Sequence, residues 1–124
     1  MMKKSLCLVL VFIILVVRGS SQAPYCSEKN LTIYQYESGA LVENKPEWTV
    51  IITNGCVCGQ MDVKLDCIGY QTVKPVDPLL LTSNGQTCLV NNGQFIYGFE
   101  SFNFTYAWDT SFPFRPISSQ IACS

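Results

Sequence analysis

The chain contains no histidine at all among its 124 residues. That removes the commonest general base, the histidine-based metal sites, and the Ser-His-Asp and Cys-His arrangements of nucleophilic catalysis. Charge is scarce as well, at 14% of residues. Beyond residue 21 the basic side chains are Lys29, Lys45, Lys64, Lys74 and Arg115, against nine acidic ones, for a net charge of −4. So few and scattered cations argue against a nucleic-acid or anionic-membrane surface. A phosphate-cradling glycine loop, an Asp-x-Asp metal motif, an internal repeat and a helical apolar stripe beyond the first residues are all missing. We therefore expect no enzyme, no cofactor and no resident metal.

What is present begins with a targeting pattern. Lys3 and Lys4 precede an uncharged apolar run, Ser5 to Val17, and small residues follow at Gly19 and Ser21. The run suits a signal-peptide core and falls short of the 18 or more residues of a membrane span. Residues 1–21 are expected to be a signal peptide, with 22–124 a single cysteine-rich β domain. Cleavage after Ala23 also fits the small-x-small rule, but it sets Pro24 after the scissile bond; an uncleaved anchor is the remaining alternative. The expected location is extracellular, with no membrane contact once the leader is gone.

Cys7 leaves with that leader. Cys26, Cys56, Cys58, Cys67, Cys88 and Cys123 remain, and an even number in a short secreted chain implies three disulfides. About 15 pairings are open. A Cys56–Cys58 bridge is disfavoured, because it would close a very small strained ring. Cys56, Cys58 and Cys67 are also the thiols best spaced for a metal, but an oxidising compartment favours disulfides. Cys56-Val57-Cys58 lacks the two-residue spacing of thioredoxin-like motifs.

The chain is organised around Pro46 to Cys58. Trp48, Val50 and Ile52 share one strand face and Thr49, Ile51 and Thr53 the other. Asn54-Gly55 reads as a turn that delivers the two cysteines to the strand end. Leu31–Tyr36 and Met61–Ile68 alternate as half-buried strands. Glu37–Pro46 reads as a loop. Thr87–Val90, Phe95–Tyr97, Ser101–Ala107 and Ile117–Cys123 read as further strands, and Phe112-Pro113-Phe114-Arg115-Pro116 excludes helix or central strand. About seven short strands at turn-punctuated spacing predict an all-β fold, a small disulfide-stapled β-sandwich or partly open barrel.

Sequons at Asn30-Leu31-Thr32 and Asn103-Phe104-Thr105 mark candidate glycosylation sites on the faces assigned to solvent. Asp62 and Asp66 lie about 13 Å apart along one strand, too far for a cooperating glycosidase pair. Trp48, Phe102, Phe104 and Tyr106 read as core. Tyr34, Tyr36, Trp108, Phe112 and Phe114 lack an obvious buried place; exposed, they could stack on sugars or anchor an interface.

An ordered set of residues resembles the plant tapetum determinant family of small secreted cysteine-rich proteins. It comprises Cys26, Ile33 and Gln35; Pro46, Trp48, Val50, Ile52, Asn54 and Cys56; Cys67 and Tyr70; Val76 and Pro78; Cys88-Leu89-Val90-Asn91 and Gly93; Phe104, Tyr106-Ala107 and Cys123. The resemblance implies an extracellular signal. Its partner would be the ectodomain of a leucine-rich-repeat receptor kinase controlling cell fate in the anther. Two features depart from the family pattern: one residue rather than three between Cys56 and Cys58, and no dibasic processing site ahead of Cys26. Two other functions are weighed beside the receptor ligand. One is a cell-wall carbohydrate-binding module using the unassigned aromatics. The other is a sugar-transferring enzyme, for which the chain is too short to supply the usual nucleotide-binding layers.

Overall fold

A computed structural model describes residues 25–123. The expected signal peptide lies outside the described residues. Among the described residues, seven strands form two antiparallel sheets. The first sheet has the order β1-β2-β6, with β1 Leu31–Val42, β2 Lys45–Asn54 and β6 Ser101–Ala107. The second has the order β4-β5-β3-β7, with β3 Gly59–Asp66, β4 Leu81–Ser83, β5 Thr87–Val90 and β7 Arg115–Ala122.

The alternation along β2 becomes the inner surface of the first sheet. Val50 and Ile52 are completely buried, and in register across β6 they meet Phe104 and Phe102, while Trp48 meets Tyr106. Val63 and Leu65 of β3, with Cys67 just beyond it and Cys88 and Val90 of β5, supply the facing layer. Each fully buried aliphatic side chain stabilises the fold by about 1.5–3 kcal/mol relative to exposure. One continuous core therefore joins the two sheets, and the β-sandwich predicted from the alternation is the fold observed.

Two expectations need correction. Glu37–Pro46 is not a loop: β1 runs on to Val42 and turns back directly into β2. Glu43 and Asn44 both take positive φ, 51° and 66°, the conformation of a two-residue type I′ hairpin whose twist suits paired strands. A bulge between Glu37 and Leu41 absorbs Ser38-Gly39, which had suggested the loop. Phe95–Tyr97 is not a strand either. It makes one isolated bridge, Gln60 with Ile96. The prolines behave as expected: Pro113 precedes β7, and Pro116 lies in β7 at the edge of its sheet.

Candidate functional site

The strand ends nearest Cys56 and Cys58 bring two irregular segments together. Here β2 stops at Asn54, the segment 55–58 crosses to β3, and the segment 94–100 folds over it before β6. Asn54, read from the sequence as half of a turn, is fully buried at the end of β2. Its Nδ2 donates to the carbonyls of Cys58 (2.8 Å) and Ile96 (3.0 Å). Its Oδ1 accepts from the Cys56 backbone N–H and from Nε2 of Gln60, both at 3.0 Å. Gln60, also fully buried, accepts a bond from the Ser119 hydroxyl at 2.6 Å. A buried amide is tolerated only when its polar atoms are partnered. The Asn54 amide is partnered by backbone groups of the two crossing segments and by the Gln60 side chain of β3, and Gln60 in turn links to Ser119 of β7.

On top of this buried amide lies a forced backbone turn. Gly98 packs so closely on the Val57 carbonyl that a Cβ has no room. The next residue, Phe99, takes φ +61°, a conformation that is strained for a bulky side chain. Its N–H is held by the carbonyls of Asn54 (2.9 Å) and Cys56 (3.2 Å). The ring consequently points to solvent. Val57, Tyr97 and Phe99 are 56%, 61% and 67% exposed, and Tyr97 stacks on Phe95 with ring centroids 5.8 Å apart. Exposed apolar groups are thus presented from two segments whose backbones touch.

The six cysteines pair as Cys26–Cys56, Cys58–Cys123 and Cys67–Cys88. Cys56 and Cys58 go to different partners, as the strain argument required. The sulfurs of Cys26, Cys58 and Cys123 lie within 4.8 Å of one another because two bridges sit side by side at this end. All are engaged in disulfides, so they present no thiolate for a metal. The third bridge lies in the core, so Cys67 is not gathered with Cys56 and Cys58.

The unassigned aromatics divide. Phe114 is buried, and Phe112 packs against the core with Tyr70 and Tyr106. Tyr106 donates its hydroxyl proton to Gln35 Oε1 (2.6 Å) and accepts from the Phe112 N–H (2.9 Å), while Gln35 Nε2 donates to the Phe112 carbonyl (2.6 Å). Burial pushes the phenols of Tyr70 and Tyr106 up to about 12, with the nearby Tyr106 phenol adding to the rise at Tyr70. Trp108 packs against the core, lies under the Lys45 ammonium at 5.0 Å, and accepts the Trp48 indole N–H through its carbonyl. Tyr34 and Tyr36 remain exposed on β1, their rings 5.8 Å apart.

Of the candidate glycosylation sites, Asn103 is exposed in the middle of β6. Asn30 belongs instead to a short 3-10 turn, half-buried, with its Oδ1 accepting the Ser27 N–H at 2.9 Å; its expected place on an open strand face is corrected accordingly. The Asp66 carboxylate meets Arg115 at 3.2 Å. Asp62 sits at a β-bulge with φ 49°, between irregular registers of β3 and β7. Open depressions of about 360 and 510 Å³ flank Lys64 and Leu89, and their linings bring no two carboxylates together.

The Tapetum determinant 1, C-terminal, family model matches residues 27–124, from the capping Ser27 of the first turn onward, with five of the six paired cysteines inside the match. The chain belongs to the tapetum determinant 1 family. Curated relatives include TPD1 protein homolog 1 of Arabidopsis thaliana, 31% identical over 96 residues, covering 75% of this chain and 54% of the relative. TPD1 protein homolog 1B of Oryza sativa subsp. japonica is 31% identical over 104 residues, covering 82% and 60%. The chain therefore spans little more than half the length of these relatives. No solved structure matches it. Membership supports a plant developmental signalling protein. Three disulfides accord with an extracellular setting, and no helix among the described residues is long and apolar enough to cross a membrane. Sequence reasoning missed Asn54 as a buried hub and Val57, Tyr97 and Phe99 as an exposed group. A Gly-Phe step at Gly98-Phe99 was the available signal for the second.

Proposed function

We propose that this tapetum determinant family member is a secreted ligand for a leucine-rich-repeat receptor kinase of plant reproductive development, and that Val57, Tyr97 and Phe99 form its receptor contact. Family membership supports the signalling class. The observation that carries the contact is Phe99: a strained backbone holds a large apolar ring out in solvent, where it contributes little to the fold. Strain of this kind costs about 1–3 kcal/mol and persists where the surroundings over-determine it, often at functional positions. Aromatic side chains are the common anchors of protein interfaces. The disulfides and the Asn54 hub beneath make the patch rigid before binding, which lowers the entropic cost of association.

The test is binding of the secreted protein to a panel of leucine-rich-repeat receptor ectodomains, with a Phe99→Ala, Tyr97→Ala double variant alongside. Binding that weakens at least tenfold in the variant supports the reading. Lack of binding to every ectodomain at micromolar concentration removes the receptor, and undiminished binding by the variant removes the patch.

A carbohydrate-binding module is the second reading, and one observation favours it: the exposed Tyr34–Tyr36 pair. Trp108, the other candidate for sugar stacking, is engaged with Lys45 and Trp48.

A further inference from the structure

The outer face of the first sheet, opposite the core, has an ordered pattern of its own. Antiparallel register places its side chains in rows across three strands. Thr32, Thr53 and Ser101 form one row, Tyr36, Thr49 and Thr105 another, and between them run Tyr34, Ile51 and Asn103. The flanking rows are polar but for Tyr36, whose ring lies beside Tyr34: Thr53 and Ser101 share a hydrogen bond of 2.7 Å, and Thr105 accepts from the Lys74 ammonium. The middle row joins two apolar side chains, Ile51 and Tyr34, to the asparagine of a sequon. Asn103 is exposed, and β6 is an edge strand of its sheet.

We infer that Asn103 carries an N-linked glycan, and that its first two sugar rings lie back across Ile51 and Tyr34. The inference rests on the proposed passage through the secretory pathway. In the modification, the Asn103 side-chain amide nitrogen attacks C1 of an oligosaccharide carried on a lipid pyrophosphate. The new N–C1 bond forms as the C1–O bond to pyrophosphate breaks; the amide gives up one proton and the lipid pyrophosphate leaves. The sequon threonine, Thr105, is two residues along the same strand and therefore on the same face.

Geometry supplies the occupant of the row. Side chains directly opposite on neighbouring strands have Cβ atoms about 4.5–5.5 Å apart. Two strand spacings from Asn103 to Tyr34 come to roughly 10 Å, the reach of two linked pyranose rings. The first ring meets Ile51 and the second the Tyr34 ring. Each sugar has one face of C–H groups suited to an apolar or aromatic surface, and edge hydroxyls suited to the threonine rows. A glycan laid there covers the exposed outer face of the sheet, while the segment 72–74 already bonds Ala107 at the outer edge of β6. It also leaves the Val57–Tyr97–Phe99 end free, since that group projects from the loops and not from this face.

The full chain is produced in plant cells and the secreted protein analysed by peptide mass spectrometry, followed by nuclear Overhauser contacts on labelled material. The expected result is hexosamine on the Asn103 peptide in most molecules, lost in Asn103→Gln and kept in Thr105→Ser. Contacts from the first two sugars to the Ile51 methyls and the Tyr34 ring are expected as well. Enzymatic removal of the glycan lowers the Tm by a few degrees in the unsubstituted protein, and by less than half as much in Tyr34→Ala. Secreted protein with a bare Asn103 overturns the glycan alone. Occupied Asn103 without contacts to Ile51 or Tyr34, or with the same Tm loss in Tyr34→Ala, overturns its placement. Unmodified protein retained inside the cell with its leader intact overturns both this inference and the secreted-ligand reading.

Discussion

Asn54 and Gln60 join side chain to side chain at 3.0 Å, both fully buried, beneath two adjacent disulfides. The pair is the polar counterpart of the apolar core, and it determines how the segments 55–58 and 94–100 cross. An apolar residue at 54 would strand the backbone groups of Cys56, Cys58 and Ile96, and one at 60 would strand the side chains of Asn54 and Ser119.

Asn54→Ala removes the acceptor of the Cys56 N–H and Gln60 amide and the donors to two carbonyls. Each stranded buried group costs about 1–3 kcal/mol, and the variant should lose about 3–5 kcal/mol in all. Denaturant unfolding monitored by tryptophan fluorescence measures the loss. A midpoint within error of the parent would mean that the hub is not needed to hold the loops.

Phe99 allows strain and contact to be separated. Phe99→Gly and Phe99→Ala both delete the ring, but only alanine retains a Cβ at positive φ. Glycine should therefore be the more stable of the two by about 1 kcal/mol. Both should weaken receptor binding at least tenfold if the ring is the anchor. Equal stability would show that the conformation carries no strain.

Most of the fold is legible in the alternation of apolar residues. Trp48, Val50 and Ile52 on one side of β2, and Val63 and Leu65 in β3, point inward as period 2 requires. Ser38-Gly39 misled because a bulge and a loop use the same residues, and only the register across β2 tells them apart. Phe112 and Phe114 looked unplaced because their burial depends on Gln35 and Tyr70, far away in sequence. Asn54 misled for a related reason. Asparagine before glycine favours a turn, and the same short amide serves equally well as a buried cross-link when carbonyls from another loop surround it. Local propensity cannot see partners more than 40 residues away.

Cys67–Cys88 is the bridge inside the core, pinning the end of β3 to β5. Closing a loop of this length is worth about 3 kcal/mol in the chain-entropy account. Cys67→Ser adds a buried hydroxyl and leaves a free thiol at Cys88. Folded secreted protein should fall severalfold or vanish, as read by secreted yield and melting temperature. The paired Cys67→Ala, Cys88→Ala variant should recover part of the yield. Normal yield and unchanged melting in Cys67→Ser would sink the stapled core.

Tyr70 and Tyr106 give the fold an alkaline limit. Burial raises both phenols from an ordinary value of 10 to about 12. A group whose folded pKa is raised is bound to its proton more tightly in the folded chain. Its stabilisation is complete below pH 10 and is lost as pH rises through about 12. Unfolding midpoints measured rapidly, before base attacks the disulfides, should stay level up to about pH 10 and drop beyond it. The Tyr106 hydroxyl also bonds Gln35 and the Phe112 N–H, so Tyr106→Phe removes the titration at the expense of stranding both. That variant should be about 1–3 kcal/mol less stable at neutral pH and show a shallower alkaline decline. A decline as steep as the parent's would place the sensitive group elsewhere.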